Sequence, residues 1–143
     1  MYPVQKSIIP TNMPSWTDFL NDEMPIKAIY GSDTPSLKRV NMHEIVLNRD
    51  GPAVLLRFDF QDFPSKPPQK WVKAGFDRVQ ARLLATGVSG LTIAGLKSCM
   101  DMDLSISKEA GLIRIVGAGD DIEFHLTAEF LLVQSINAYV EGG

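Results

Sequence analysis

The chain has 143 residues, of which 45% are hydrophobic and 22% are charged, and its formal net charge is -3 at pH 7. A chain of this length can bury a core without disulfides, and its composition excludes a disordered protein. The weak negative charge argues against a nucleic-acid or anionic-membrane partner. The single cysteine, Cys99, rules out an intramolecular disulfide and a thiolate metal cluster. We therefore expect a reducing, cytoplasmic location.

The first residues predict an arm rather than a folded element. Residues 1–14 contain three prolines and no apolar run long enough for a signal peptide. We expect them to form a flexible or extended arm, followed by a single globular domain at residues 15–143. No segment of the chain reaches the length and hydrophobicity of a membrane span.

Two short helices are predicted next. Residues 15–18, SWTD, fit a capping box, in which a serine side chain and an acid satisfy the free backbone groups at a helix start. This motif predicts a helix from Trp16 to about Asp22. Pro25 and Gly31 then frame a second helical turn, from Ile26 to Tyr30.

The segment from Val40 to Phe60 predicts a β-hairpin. Asp50-Gly51 favours a turn, but Pro52 lacks the N–H that a two-residue loop needs, so a four-residue loop from Arg49 to Pro52 is expected. This register keeps apolar and charged side chains on opposite faces. The predicted facing pairs are Asn48 with Ala53, Leu47 with Val54, Ile45 with Leu56, Glu44 with Arg57 and Met42 with Asp59.

The middle of the chain is less regular. Gln61 to Lys73 contains three prolines and predicts a long loop with polyproline character. The next segment, Phe76 to Thr86, fits both strand and helix spacing. We favour a strand, because alternation separates the apolar from the charged residues more cleanly.

From Gly90 onward alternation with a period of two predicts further strands separated by short turns. The clearest strand has inward-facing residues from Ile122 to Phe130, with His125 on its polar side. The predicted fold class is α+β and mainly β. We expect about eight mostly antiparallel strands in a sandwich or strongly curled sheet, with one or two short N-terminal helices.

No catalytic or metal site emerges from these residues. His43 and His125 could join Glu44 or Glu123 as metal ligands, but no spacing supports this, and His43 is expected on the apolar face beside Phe58. Cys99 is expected to be a small buried hydrophobe rather than a nucleophile. The sequence therefore predicts a protein with no cofactor, no metal and no enzymatic activity.

Two features favour binding to another protein. Trp71 follows Pro67-Pro68 and could anchor a partner, although it could equally fold back over the core. Several acids could form a negative patch for a basic partner or a simple solvated face; they are Asp59, Asp62, Asp120, Asp121 and Glu123. The predicted partner-binding residues are Asp62, Phe63, Lys70, Trp71, Asp120, Asp121 and Glu123.

A series of short motifs runs through most of the chain. They are Tyr30-Gly31, Pro35-Ser36-Leu37, His43-Glu44-Ile45, Arg49-Asp50-Gly51-Pro52, Arg57-Phe58-Asp59, Phe63-Pro64, Pro67-Pro68, Lys70-Trp71, Val79-Gln80 and the segment from Ile136 to Tyr139. In this order they resemble the immunity protein 50 family of bacterial polymorphic toxin systems, over about residues 16–140.

This resemblance implies a single-domain, non-enzymatic protein that binds a cognate toxin and neutralises it by occlusion. It supplies no catalytic residues and leaves homo-oligomerisation open. The alternative is a small-ligand-binding or enzymatic β domain with an unknown substrate. A deep pocket lined by His43 or His125 would favour that alternative.

Overall fold

The computed structural model describes residues 15–141, so the predicted arm at residues 1–14 lies outside the described part. A 3-10 turn at Trp16–Phe19 precedes helix α1 at Met24–Tyr30, and helix α2 spans Gln69–Ala74. The eight strands are β1 (Val40–Asn48), β2 (Ala53–Asp59), β3 (Arg78–Thr86), β4 (Gly90–Ala94), β5 (Asp101–Glu109), β6 (Leu112–Gly119), β7 (Ile122–Ala128) and β8 (Phe130–Tyr139).

The strands form one open antiparallel sheet in the spatial order β4-β7-β6-β5-β1-β2-β3-β8. Its two four-stranded halves meet at a short ladder in which Val40 of β1 lies opposite Met102 of β5. Buried side chains from both halves, such as Phe58 and Phe124, belong to one hydrophobic cluster. The sheet is therefore strongly curled around a shared core, which confirms the predicted fold class.

The β1–β2 hairpin has the predicted four-residue loop, and four predicted pairs are confirmed. The pair Met42 with Asp59 is wrong, because a β-bulge at His43 shifts the register and places Met42 opposite Phe58. The extra residue lets Met42 and Phe58 both enter the core. It also moves His43 to the opposite face, so the predicted core position of this histidine is wrong.

The N-terminal helices differ from the predictions in their bounds. The capping box of Ser15 and Asp18 is present, but the helix is a single 3-10 turn that ends at Phe19. Leu20 becomes extended because its side chain is buried and the next backbone N–H, of Asn21, donates to the Leu131 carbonyl of β8 at 2.9 Å. Helix α1 begins at Met24, two residues earlier than predicted.

The predicted loop from Gln61 to Lys73 is wrong at its C-terminal end, where α2 forms after Pro68. Gly75 ends this helix in the left-handed conformation, with a φ of 72°. The helix carries Trp71 into the core, where it is 5% exposed. The preferred strand for Phe76 to Thr86 is confirmed as β3, whose buried residues are Val79, Ala81, Leu83 and Ala85.

Two further residues are placed differently from the predictions. Phe130 was expected to face inward, but it is 51% exposed, because Glu129 interrupts the alternation between β7 and β8. Cys99 is exposed rather than buried, since it lies in the connection between β4 and β5. No helix among residues 15–141 combines the length and hydrophobicity needed to cross a bilayer.

Candidate functional site

A row of aliphatic side chains crosses the side of the β1-β2-β3-β8 half that faces away from the core. Val46 lies opposite Leu55, Leu55 opposite Leu84, and Leu84 opposite Leu132. Four strands therefore align these residues over three strand spacings, about 14 Å. Phe130 follows on the same side of β8. We call this side of the half-sheet the outer face, and these five residues the apolar row.

The apolar row is accessible. Val46 is 41% and Phe130 is 51% exposed, and the three leucines are half-buried. None of the five belongs to the core cluster, whereas the buried residues of the helices, such as Ile26 and Trp71, do. The described helices therefore contribute to the core and leave the apolar row uncovered.

Next to the apolar row runs a row of charged side chains. Arg57 donates from Nε to Glu44 Oε1 at 3.1 Å and from Nη1 to Gln80 Oε1 at 3.3 Å. Arg82 lies directly opposite Arg57 on β3, and among residues 15–141 it has no acidic partner within 4.0 Å. Like charges that face each other across strands repel, so the positive charge of Arg82 is left without a compensating negative charge.

A buried carboxylate, Asp59, anchors the end of the outer face. It is 5% exposed, and its Oδ1 accepts a hydrogen bond from Gln80 Nε2 at 3.1 Å. Its Oδ2 accepts from the Tyr139 hydroxyl and lies 3.0 Å from His43 Nε2, which the β-bulge brings to this side. Burial, and next the hydrogen bond to Asp59, raise the pKa of Tyr139 to about 12.

Both carboxylate oxygens of Asp59 therefore have hydrogen-bonding partners, and its role is structural. Three polar partners compensate for its burial, and such a network fixes the relative positions of the strands that carry it. His43 is engaged by this acid at the rim of a mostly apolar groove, and His125 is exposed on β7, as predicted. No group of three or more metal-binding side chains is assembled within residues 15–141.

The predicted partner-binding residues fall into two groups. Trp71 and Phe63 pack with ring centroids 6.2 Å apart, and Phe63 is 37% exposed beside the buried Trp71. The Asp62 carboxylate accepts from the Ser36 N–H at 2.8 Å, and its carbonyl accepts from the Tyr30 hydroxyl at 2.7 Å. Burial, and next the charge of Asp62, raise the pKa of Tyr30.

Of the remaining predicted residues, Lys70 is exposed on α2 beside Trp71. Asp120 and Asp121 form the exposed β6–β7 turn, and Glu123 is exposed on β7. The structure thus separates the set into a cluster around α2 and a cluster at one end of β6 and β7. Trp71 covers the core, which is the second of the two roles considered for it.

A surface groove lies between these two groups. Asp101, Asp103 and Asp120 line one part of it, and Arg39, Cys99 and Asp101 continue it toward Gln61, the neighbour of Asp62. The Asp103 carboxylate accepts from the Arg39 N–H at 2.8 Å, which fixes the groove at the junction of the two half-sheets. We call this feature the acidic groove. Acids outnumber the bases Arg39, Arg78 and Lys97 along it, so it suits a basic partner surface better than an acidic one.

The apolar row was not predicted from the sequence, although the sequence contains a signal for it. A strand with one buried face should alternate apolar and polar residues. Instead, consecutive apolar residues occur at 45–47 (IVL), 53–56 (AVLL), 83–85 (LLA) and 130–133 (FLLV). Each run therefore places apolar residues on the outer face as well as on the buried face. Apolar side chains at such exposed positions are expected only where they have a function.

Comparison with known proteins identifies a family. Residues 22–139 match the sequence model of the family described as Immunity protein 50. This match covers most of the chain and agrees with the motifs noted in the sequence. No curated protein and no solved structure gives a significant match.

Proposed function

Because the chain belongs to the immunity protein 50 family, we propose that it binds a cognate bacterial protein toxin and neutralises it by covering the toxin's active site or substrate channel. An immunity protein that acts in this way needs no catalytic residues of its own. It needs a rigid surface that is complementary to the toxin. We place this activity in the cytoplasm, which the exposed, unpaired Cys99 supports, since a free thiol persists in a reducing compartment.

The outer face is the surface that we assign to the toxin. The observation that carries this assignment is the uncovered apolar row beside Arg82. Contiguous apolar patches that polar residues surround commonly mark protein contacts. Protein interfaces also combine an apolar centre with a polar rim, and arginine is enriched in them. The outer face has both components.

This arrangement predicts the chemistry of the toxin surface. Apolar side chains of the toxin would cover the apolar row, and a carboxylate would approach Arg82. That carboxylate would relieve the repulsion between Arg57 and Arg82. Part of its contribution to affinity would therefore come from removing a repulsion that destabilises the free protein. The buried Asp59 network would hold both arginine-bearing strands in position.

The acidic groove is the competing surface. It lies between Asp62 and Phe63 at one end and Asp120 at the other, and Asp121 and Glu123 extend its acidic end. A toxin with a basic substrate channel would favour this groove. Replacing residues on the two surfaces separately distinguishes them.

Co-expression with the product of the gene immediately upstream tests the proposed function. We expect the chain to rescue cells from that product and to co-purify with it in a fixed ratio. Failure of both rescue and co-purification would overturn the proposal. Rescue without a stable complex would favour the alternative, an enzymatic or small-ligand-binding β domain that acts on a product of the toxin.

A further inference from the structure

Several strand edges of the curled sheet, including the outer edge of β8, have no neighbouring strand in the described part of the chain, and two of them belong to β1 and β4. The ladder between β1 and β5 covers the first two residues of β1 and ends with the hydrogen bond from the Met42 N–H to the Met100 carbonyl, at 2.9 Å. From Glu44 to Asn48, β1 pairs with β2 on one side and with no strand on the other. Strand β4 likewise pairs with β7 alone.

A groove of about 330 Å³ opens between these two edges. Ile45 and Leu47 line it from β1, Leu91 and Ile93 from β4, and Leu96 from the connection that follows β4. Leu47 is 59% and Leu96 is 71% exposed, so two apolar side chains protrude at the rim of an apolar groove. We call this feature the edge groove.

The exposed edge of β1 carries little protection against pairing. Natural edge strands are usually shielded by a lysine, a proline, a bulge or a covering element. The segment from Glu44 to Asn48 has neither lysine nor proline, and the bulge at His43 lies before it. Its free backbone N–H and C=O groups are therefore available to another extended strand.

The charges around the edge groove favour a second copy over a charged partner. The two ionisable groups that line it are already engaged, since Glu44 binds Arg57 at 3.1 Å and His43 lies 3.0 Å from Asp59. A basic or acidic protein would gain no charge contact there. Two copies of a chain with a net charge of -3 carry the same excess of acid. The two copies can approach each other at the edge groove, because no unpaired acid lines it.

The edge groove is also self-complementary. A two-fold symmetric contact requires that the same patch supply both the protruding and the receiving groups. Leu47 and Leu96 protrude at the rim, and the apolar walls of the same groove can receive them. Antiparallel pairing of two identical edges obeys the same symmetry.

We propose that two copies of this chain associate through antiparallel pairing of their β1 edges, with Leu47 and Leu96 of each copy covering the edge groove of the other. This contact uses the β1 edge, which also carries Val46 of the apolar row. It leaves Arg82 and Phe130, on β3 and β8, accessible in both copies.

Sedimentation equilibrium of the full chain across a range of concentrations tests this proposal. We expect the molar mass of two chains, and we expect the double variant Leu47→Lys/Leu96→Lys to have the mass of one chain at the same concentration. The matched control is Val72→Lys, which changes a side chain that is 58% exposed on α2 and should leave the dimer intact. Circular dichroism checks that each variant is folded.

Hydrogen exchange of the unmodified chain provides a second measurement that needs no variant. Amides between Glu44 and Asn48 should gain protection as concentration rises. A single-chain mass at every concentration would overturn the proposal, and so would a dimer that the double variant retains. Protection of these amides only after the upstream gene product is added would assign the edge to the toxin and equally reject the second copy.

Discussion

Arg57 of β2 and Arg82 of β3 lie directly opposite each other on the outer face. Glu44 balances the first arginine, at 3.1 Å, while the second has no acidic partner within residues 15–141. A protein selected only for stability would avoid this arrangement, because facing like charges destabilise a sheet. At this pair the proposed toxin contact and the stability of the free protein therefore make opposite demands.

Replacing Arg82 with glutamine should stabilise the free protein and weaken its complex with the toxin. Removing the facing positive charge is expected to raise the free energy of unfolding by about 0.2–1 kcal/mol. Loss of the contact with the toxin's carboxylate should lower affinity by about tenfold, or about 1.4 kcal/mol. Urea denaturation measures the first effect, and calorimetric titration with the co-purified toxin measures the second.

The matched control for this variant is Lys108→Gln, which removes one positive charge at an exposed position on β5. It changes the net charge equally but should alter neither stability nor affinity. If Arg82→Gln destabilised the protein instead, Arg82 would have a stabilising partner, and its repulsion by Arg57 would not be the dominant effect.

Replacing Phe130 with lysine should weaken toxin binding without unfolding the protein. Phe130 is 51% exposed, and substitutions at such positions usually change stability by less than about 0.5 kcal/mol. Burying a lysine against an apolar toxin surface should nevertheless lower affinity by at least about tenfold. The comparison variant is Asp120→Lys in the acidic groove, which should retain affinity. The reverse result would assign the toxin to the acidic groove.

The features that local chemistry specifies could be predicted from the sequence. The β1–β2 loop follows from Gly51 and Pro52, and the capping box follows from Ser15 and Asp18. The β-bulge at His43 could not be predicted in this way. It exists because Met42 must face Phe58 in the core, and no residue near His43 encodes that requirement.

The apolar row was not predicted for a different reason. Alternation was interpreted as one buried face and one polar face, so the second apolar residue in each run seemed to have no role. Only the register of four strands shows that Val46, Leu55, Leu84 and Leu132 form one row. Helix α2 was not predicted because the prolines before it favour a loop, although Gln69 to Ala74 contains good helix formers.

Replacing Trp71 with alanine should destabilise the fold. The side chain is 5% exposed within the core cluster, and removing a buried tryptophan costs about 3–5 kcal/mol. Trp71→Phe should cost less because it keeps a ring beside Phe63. Thermal unfolding of both variants measures the difference. A variant Trp71→Ala with unchanged stability and reduced toxin affinity would instead make Trp71 a binding anchor.

Replacing Tyr139 with phenylalanine should destabilise the protein in a way that depends on pH. The Tyr139 hydroxyl donates to the buried Asp59 carboxylate. Hydrogen bonds to charged groups stabilise a protein by about 1.5 kcal/mol or more, and we use the lower value because the Tyr139 side chain is partly exposed. Burial and this hydrogen bond raise the pKa of Tyr139 from 10.0 to about 12 in the folded state.

The sign of the pH effect follows from that direction. The folded protein holds the Tyr139 proton more tightly than the unfolded chain does, so the stabilisation is complete below pH 10 and is lost as pH rises toward about 12. The free energies of unfolding of the unmodified chain and of Tyr139→Phe should therefore converge over this interval. Tyr30→Phe is a useful comparison, because the Tyr30 hydroxyl donates to a backbone carbonyl rather than to a carboxylate. A gap between the unmodified chain and Tyr139→Phe that stayed constant over this interval would mean that folding does not shift the ionisation of the Tyr139 hydroxyl, and Asp59 would then depend on His43 and Gln80 for its compensation.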